Sequence, residues 1–290
     1  GGHSLLMIGP PGTGKSLLAT RLPGILPPLD ETDALEVAAI ASVTGRPVES
    51  KRWRLRPFRA PHHTASAVAL VGGGSSARPG EISLAHHGVL FLDELPEFER
   101  CVLEVLREPL ETGRILISRA ARQAEYPARF QLVAAMNPCP CGWLGDSSGR
   151  CRCTLEQVER YRKRISGPLL DRIDMHVEVP RLSFDEMNGR RGEHSADVRK
   201  RVIATRNIQL ARNSTLNSQL NNRQLDESCP LEKNDQAFMK TAMEKLQLST
   251  RAFLRILKLA RTIADMEQAA DIQSQHLGEA IHYRQLDRSL

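Results

Sequence analysis

Residues 4–16 read Ser4-Leu5-Leu6-Met7-Ile8-Gly9-Pro10-Pro11-Gly12-Thr13-Gly14-Lys15-Ser16. The first five form a short apolar run closed by Gly9, which is typical of a buried strand. The next eight match G-x-x-x-x-G-K-[ST] at every fixed position, and residues 16–22 have a helical pattern. Strand, glycine-rich loop and helix in this order predict the phosphate-binding loop of an α/β protein. A chance glycine loop is the alternative.

The residue types fit this chemistry. Glycines let backbone N–H groups approach phosphate oxygens, and the start of the following helix adds positive potential. Lys15 is expected to neutralise the β- and γ-phosphates of ATP, and Ser16 to offer its hydroxyl to Mg²⁺. The candidate nucleotide-binding residues in this loop are Gly9, Pro10, Pro11, Gly12, Thr13, Gly14, Lys15, Ser16 and Leu17.

A second acidic motif follows downstream. Val89-Leu90-Phe91-Leu92 is an apolar run that ends in Asp93 and Glu94. The carboxyl ends of strands in open α/β sheets face the ligand crevice. We expect Asp93 to hold Mg²⁺ and Glu94 to act as the general base on the attacking water. The alternative is a solvated acidic turn.

Composition sets broad limits. The chain has 290 residues, 41% of them hydrophobic, and a formal net charge of +6. This length fits one large domain or two smaller ones. No apolar run approaches the roughly 18 residues of a membrane span, and no signal-peptide pattern opens the chain, so we predict a cytoplasmic protein without a membrane partner. The chain begins at Gly1, directly before the motif, which we interpret as a fragment.

The order of elements predicts two domains. Residues 1–190 would form the α/β domain, with an insertion at about 45–80, a hairpin at 114–133 and a cysteine loop at 139–153, and residues 191–290 a helical lid. Predicted helices cover 33–42, 97–107, 195–212, 232–247, 250–268 and 273–288, with a loop at 213–224. Strands at 114–119 and 129–136 would form the hairpin, with its turn near Tyr126-Pro127, and residues 173–179 a further strand.

Several longer stretches resemble AAA+ ATPases of the magnesium-chelatase-like group, and within it the ComM/YifB competence-associated family. They are Arg59-Ala60-Pro61-His62-His63-Thr64, Ala85-His86-His87-Gly88, residues 134–142, Leu169-Leu170-Asp171-Arg172-Ile173-Asp174 and residues 260–265. The resemblance implies a P-loop fold with a parallel sheet flanked by helices and a small all-α lid. It also implies MgATP hydrolysis in a closed ring, a hexamer. The Lon-like N-terminal domain of such proteins, and the segment that contributes to their nucleobase pocket, are not among these 290 residues.

The same resemblance assigns individual residues. Asn137 matches the sensor-1 position that orients the attacking water, and Arg172 matches the arginine finger that acts on ATP held by the neighbouring subunit. Arg251 matches the sensor-2 position, although Arg255 lies one turn later. The alternatives are a turn Asn before Pro138 and a surface salt bridge of Arg172.

A basic segment points to DNA as the partner. Arg46, Lys51 and four further arginines lie between residues 46 and 59 against one acid, with Trp53 and Phe58 interleaved. Cations track phosphates and aromatic rings stack on bases. By resemblance this insertion and the hairpin project into a central channel. The candidate DNA-binding residues are Arg52, Arg54, Arg56, Arg59, Arg119 and Arg122.

The predicted function is therefore that of an ATP-dependent DNA motor, a helicase or branch-migration enzyme in recombination during natural transformation. Alternatives for the segment are a solvated loop or a subunit interface. Alternatives for the function are a chelatase-type motor driving metal insertion and a protein-remodelling ATPase.

Four cysteines form a C-x-C, nine residues, C-x-C pattern: Cys139, Cys141, Cys151 and Cys153. On a turn, four thiolates can close a tetrahedral Zn²⁺ site, and free or redox-active thiols are the alternative. The histidine pairs at 62–63 and 86–87 also suggest metal ligands, although adjacent residues rarely share a metal and polar contacts explain them equally well.

Overall fold

The structure is a computed structural model. It describes residues 1–45, 49–74, 77–119, 122–146, 149–182, 186, 189 and 192–284, and of Arg119 and Arg122 only the backbone.

The strands have the following bounds: β1 Leu5–Ile8, β2 Phe58–Arg59, β3 Gly72–Gly73, β4 Arg78–Pro79, β5 Val89–Leu92, β6 Arg114–Arg119, β7 Arg122–Pro127, β8 Gln131–Met136 and β9 Met175–Glu178. The helices are α1 Lys15–Ile25, α2 Glu31–Val43, α3 Ala67–Val71, α4 Glu81–Leu84, α5 Arg100–Glu104, α6 Pro109–Thr112, α7 Leu155–Arg162, α8 Gly167–Leu170, α9 Ser195–Asn213, α10 Asn222–Ser228, α11 Lys233–Leu246, α12 Thr250–Met266 and α13 Ser274–His282. Short 3₁₀ turns lie at Ser50–Arg52, Leu95–Glu97 and Asn217–Gln219.

A five-stranded parallel sheet has the order β2-β5-β8-β1-β9. Leu90 of β5 lies between Leu132 of β8 and Arg59 of β2. All four residues of β5 are buried, as are the last five of β8. Such continuous apolar strands are typical of a parallel sheet that is covered on both faces. The predicted AAA+ fold class, a parallel sheet flanked by helices and followed by a helical domain, is confirmed.

Helix starts follow the local sequence. Asp30 caps α2 by accepting a hydrogen bond from the backbone N–H of Asp33 at 2.7 Å. Thr154 and Gln157 form a reciprocal capping box at the start of α7. By contrast α1 begins directly after Gly14 without a side-chain cap, so its first N–H groups keep their capacity to bind an anion.

The predicted hairpin has the wrong second arm. β6 pairs antiparallel with β7, from Arg114 opposite Pro127 to Arg119 opposite Arg122. The arm predicted at 129–136 is instead β8, a central strand of the parallel sheet. Its run of consecutive buried side chains suits a strand covered on both faces, whereas an exposed hairpin arm alternates.

Other predicted bounds shift locally. The helix expected at 97–107 is a 3₁₀ turn followed by α5, and the loop expected at 213–224 contains a 3₁₀ turn and the start of α10. The region 45–80, expected as an insertion or loop, contains α3 and the small β3–β4 ladder. Predictions on residues 46–48, 75–76 and 285–290 lie outside the described residues.

Contacts divide the chain into two compact units. The α/β unit comprises Leu6–Arg172 and Glu178–Arg190, and the helical unit comprises Gly1–Leu5, Ile173–Val177 and Arg191–Leu290. The core of the helical unit contains Ile256, Ala260 and Ile263 of α12, at helical spacing, with Leu277 and Ile281 of α13. Within the described ranges, no helix is both long and apolar enough to cross a membrane.

Candidate functional site

The phosphate loop lies between β1 and α1, and its backbone requires glycine at two kinds of position. Gly12 and Gly14 have φ of 80° and 85°, which side chains with a Cβ rarely adopt. Gly9 has an ordinary φ, but a Cβ there would lie 2.2 Å from the carbonyl oxygen of Val179. The loop therefore needs glycine for its positive φ at Gly12 and Gly14, and for close packing at Gly9.

Lys15 is buried, and its ammonium donates to main-chain oxygens of the loop. Its Nζ lies 2.6 Å from the oxygen of Gly9 and 2.8 Å from that of Pro10. Burial lowers the pKa of Lys15, and the Asp93 carboxylate partly opposes this shift. A cation held by neutral carbonyls can exchange them for phosphate oxygens, which bind it more strongly.

Ser16 and Asp93 form the candidate magnesium site. The hydroxyl of Ser16 donates to Oδ2 of Asp93 at 2.5 Å, although 77 residues separate them. The other oxygen of Asp93 accepts the backbone N–H of Glu94 at 2.9 Å. A hydroxyl and a carboxylate at the edge of a phosphate loop are hard oxygen ligands, so these residues fit Mg²⁺ bound beside a nucleotide.

Glu94 follows Asp93 in a strained backbone conformation, with φ of 53°. Its Oε2 lies 3.3 Å from Nδ1 of His63, a contact that the sequence did not predict. The ring of His63 stacks on His62 with centroids 4.1 Å apart and meets Phe98 edge-on. The histidine pair at 62–63 was noted in the sequence, but nothing there indicated that it would contact the candidate base.

Asn137 directly follows β8, and its Oδ1 lies 3.3 Å from Nζ of Lys15. Parallel strands place their carboxyl ends at one edge of the sheet, so Gly9, Asp93 and Asn137, which follow three neighbouring strands, meet there. The structure thus brings together the loop, the two acids and the sensor-1 candidate.

Arg172 is placed differently from an exposed finger. Its side chain is 5% exposed, its Nη2 lies 2.8 Å from Oε1 of Glu111, and its Nη1 donates to the carbonyl of Pro168. The trans role of Arg172 stays a prediction, and it requires the guanidinium to exchange Glu111 for a phosphate of the neighbouring subunit.

The two sensor-2 candidates of the helical unit, Arg251 and Arg255, differ in their surroundings. Arg255 is ion-paired with the buried carboxylate of Asp174, which also accepts from the backbone N–H of Ser4 at 2.7 Å. Burial would raise the pKa of Asp174, but Arg255 and His3 hold it well below its usual range. Arg251, at the start of α12, is exposed. The sensor-2 role of Arg251 stays a prediction.

The stretch 260–265, one of those that carried the resemblance, supports the fold of the helical unit. The carboxylate of Asp265 accepts two hydrogen bonds from Arg212, at 2.7 and 2.8 Å. It also accepts one from Arg261 at 3.1 Å and one from Asn217 at 2.8 Å. Arg261, 2% exposed, also donates to the carbonyls of Ala269 and Ala270. This network holds α9 and the 3₁₀ turn at 217–219 against α12.

The basic segment is partly engaged in internal contacts. Arg54 donates to the carbonyl of Leu29, and Arg56 to those of Pro27 and His87. Arg59 forms a two-point ion pair with Glu81, with both distances 2.6 Å. Arg52 is exposed. Arg46 and the side chains of Arg119 and Arg122 lie outside the described structure, so DNA contact by these residues stays a prediction.

The four cysteines of the C-x-C pairs come together in the α/β unit. Their sulfur atoms all lie within 4.8 Å of one another, and Cys139 is buried. Soft thiolates in a group of four are the donor set that Zn²⁺ prefers in structural sites.

The histidine pair at 86–87 also meets a carboxylate, that of Glu36. Nδ1 of His86 accepts the backbone N–H of Arg129 at 3.0 Å, and its Nε2 lies 2.9 Å from Oε2 of Glu36. Burial lowers the pKa of His86 to about 4, so the ring is neutral near pH 7 and carries its proton on Nε2. Neither nitrogen then offers a lone pair to a metal. We interpret this cluster as a hydrogen-bonded connection to α2.

Comparison with known proteins gives matches over both the α/β part and the helical part of the chain. The family described as "Magnesium chelatase, subunit ChlI" matches residues 1–187, and its C-terminal counterpart matches residues 192–284. The "Uncharacterized protein YifB" of Salmonella typhimurium is 53% identical over 292 residues, and the "Competence protein ComM" of Haemophilus influenzae 50% over 292 residues. Both alignments cover the whole chain and 57% of the relative, so the chain spans little more than half of their length. The "Magnesium-chelatase 38 kDa subunit" of Cereibacter sphaeroides is 28% identical over 149 residues, which cover 46% of this chain and 45% of that protein.

Proposed function

Because the chain belongs to the magnesium-chelatase ChlI family of AAA+ proteins, in the branch that contains ComM and YifB, we propose that it binds MgATP and hydrolyses it to ADP and phosphate. The observation that carries this proposal is the convergence of Lys15, Ser16, Asp93 and Asn137 at one edge of the sheet. Mg²⁺, held by Ser16 and Asp93, would neutralise charge on the phosphate oxygens.

Each residue then has one task in the reaction. Glu94 accepts a proton from the attacking water as the water oxygen bonds to the γ-phosphorus and the bond to the β–γ bridging oxygen breaks. Asn137 orients that water, and Lys15 stabilises the charge that develops on the leaving phosphate. In the helical unit, Arg251 is proposed to reach the nucleotide as sensor 2.

The complete site is proposed to form between subunits of a closed ring, a hexamer as the resemblance implies. Arg172 would contact ATP bound by the next subunit, because a guanidinium stays charged and donates a rigid fork to phosphate oxygens. On this proposal the specific ATPase activity rises with protein concentration, and Arg172→Ala lowers it without weakening nucleotide binding to the same subunit.

DNA is the proposed substrate of the motor. A cleft of about 610 Å³ in the α/β unit is lined by Arg52, Arg56 and Arg59 together with Phe58. Arg119 and Arg122 are the last pair of the β6–β7 ladder. Like charges opposite each other destabilise a hairpin, and a polyanion would offset this. The relative named "Competence protein ComM" supports the proposal of a role in DNA recombination during natural transformation.

A chelatase-type motor that drives metal insertion is the second candidate, favoured by the match to the magnesium-chelatase subunit. A protein remodeller is a third. The domain boundary near residue 190 and a cytoplasmic location belong to the same proposal.

Strand exchange tests the proposal. ATP-dependent branch migration on a four-way DNA junction, and stimulation of the ATPase by that DNA, are expected for wild type and lost in Lys15→Ala and Glu94→Gln. ATPase activity that no DNA stimulates, with no strand exchange, would contradict the DNA motor and favour the chelatase or remodeller alternative.

A further inference from the structure

The cysteine cluster has the dimensions of a metal site. Sγ of Cys139 lies 3.4 Å from that of Cys141 and 3.8 Å from that of Cys151, and Cys141 and Cys151 are 3.7 Å apart. Four sulfurs at about 2.3 Å from a central Zn²⁺ form a tetrahedron whose edges are about 3.8 Å. The separations exclude formed disulfides, whose sulfurs lie about 2.0 Å apart.

The local backbone allows two cysteines of one C-x-C pair to face the same centre. The backbone N–H of Gly142 donates to the carbonyl of Cys139 at 2.9 Å, and Gly142 has φ of 84°. This tight turn folds Cys141 back beside Cys139.

The same turn touches the phosphate loop. A Cβ added to Gly142 would lie 2.8 Å from Cδ of Pro11 and 3.7 Å from Cγ of Asn137. The cysteine loop therefore packs directly on a residue of the phosphate loop and on the sensor-1 candidate, with no room for a larger residue at position 142.

The loop is also fixed on its other side. Cys153 is followed by the Thr154 capping box that starts α7. Tyr161 of α7 is buried, which raises the pKa of its phenol to about 12, and the nearby backbone of Asn137 partly opposes this shift. Asn137 and Tyr161 therefore lie close together, and the four cysteines lie between them in the sequence.

We infer that Cys139, Cys141, Cys151 and Cys153 bind one Zn²⁺, and that the metal-closed loop sets the position of Pro11 and Asn137 so that nucleotide binding depends on it. Without the metal nothing joins the two C-x-C pairs covalently, and the turn at Gly142 loses its support. The effect on nucleotide binding rests on the proposed function, whereas metal binding stands by itself.

Metal content is the first measurement. The 290-residue chain, purified without chelators, is expected to contain about one zinc per chain. Co²⁺ exchanged into it should give the absorption bands of a tetrahedral thiolate site. Cys141→Ser and Cys153→Ser should lose the metal, and Cys101→Ser, an exposed thiol outside the cluster, should retain it. Wild-type protein that binds neither Zn²⁺ nor Co²⁺ would overturn the site.

Nucleotide affinity is the second measurement. Stripping zinc from wild type is expected to weaken binding of a fluorescent MgADP analogue about 10-fold, and restoring Zn²⁺ to recover it. Gly142→Ala keeps all four thiols but adds a methyl group against Pro11, so it should bind nucleotide more weakly even when zinc is bound. Unchanged affinity in the stripped wild-type protein would overturn the coupling.

The two proposals fail separately. Zinc-loaded wild type that binds no nucleotide would contradict the ATPase proposal, and it would leave the metal site to be judged by zinc content and by the loss of thermal stability on stripping. If the cysteine variants do not fold, stripped wild type and Gly142→Ala still give both readouts.

Discussion

The phosphate loop and the centre of the helical unit both hold charged side chains away from water, but they satisfy these charges differently. In the loop, Lys15 donates to two backbone carbonyls, and the Ser16 hydroxyl donates to Asp93. In the helical unit, Asp265 accepts hydrogen bonds from two arginines and an asparagine. Phosphate and metal oxygens can replace the partners in the first case, whereas the second network is complete within the fold.

This difference separates activity from stability. A site that exchanges partners during turnover is held by loop geometry, so removing one of its side chains removes chemistry and leaves the core intact. A saturated buried network has the opposite property, since loss of one member leaves the others buried without a counter-charge. Substitutions in the phosphate loop should therefore lower the ATPase rate and leave the free energy of unfolding unchanged. Substitutions in the buried network should lower the free energy of unfolding.

The largest effect is expected at Glu94. Glu94→Gln removes the general base and should lower kcat for ATP hydrolysis about 100- to 10,000-fold. Nucleotide binding and the thermal unfolding midpoint should stay at wild-type values, because the side chain is half exposed and anchors no core contact. Phosphate release measured at saturating MgATP checks the rate, and a near wild-type kcat would contradict the assignment.

The next effect is on stability. Asp265→Ala leaves Arg261 and Arg212 without their carboxylate and should lower the free energy of unfolding of the helical unit by about 3–5 kcal/mol. Urea unfolding followed by circular dichroism measures it. Glu227→Ala breaks an exposed ion pair with Arg223 and serves as the control, with no measurable change expected. Equal midpoints for both variants would contradict a stabilising role of the buried network.

His176 should make the helical unit sensitive to acid. Neither ring nitrogen has a hydrogen-bond partner within the described structure, and burial, assisted by Arg284, lowers the pKa of His176 to about 3. Below pH 6.5 His176 binds a proton in the unfolded chain but not in the native state. The free energy of unfolding therefore falls as the pH drops from 6.5 towards 3. At pH 5 the cost is about 2 kcal/mol.

His176→Leu should remove this part of the pH dependence. The loss of unfolding free energy between pH 7.5 and pH 5 is expected to shrink by about 2 kcal/mol, while His194→Gln, at an exposed position, leaves it unchanged. An unaltered pH profile in His176→Leu would show that the buried ring is not the source of the acid sensitivity.

The smallest effect is expected at His63. Its contact with Glu94 positions the carboxylate, and an exposed pair of this kind contributes about 0.2–1 kcal/mol, so His63→Ala should lower kcat by at most about 5-fold. KM for ATP should not change, and His63→Gln should restore part of the rate. A change in KM with kcat intact would instead indicate a role in nucleotide binding.

The contrast between the two regions also explains what the sequence could predict. The phosphate loop and β5 were predicted because their residues are contiguous and each type has a chemical task. The second arm of the hairpin was predicted wrongly, because the buried run of β8 does not indicate which strand it pairs with. The network around Asp265 joins residues far apart in sequence, such as Arg212 and Asn217, so no local pattern reveals it. The internal partners of Arg54, Arg56 and Arg59, which were predicted to contact DNA, depend on the tertiary fold, so no local pattern reveals them.

Nucleotide binding tests the central claim most directly. Titration of the purified chain with a fluorescent ADP analogue should give saturable binding in the presence of Mg²⁺, weakened by excess EDTA and abolished in Lys15→Ala, with circular dichroism unchanged. Binding that ignores both Mg²⁺ and the lysine, or no binding by folded wild-type protein, would contradict the assignment of residues 9–16, Asp93 and Asn137 to a nucleotide site.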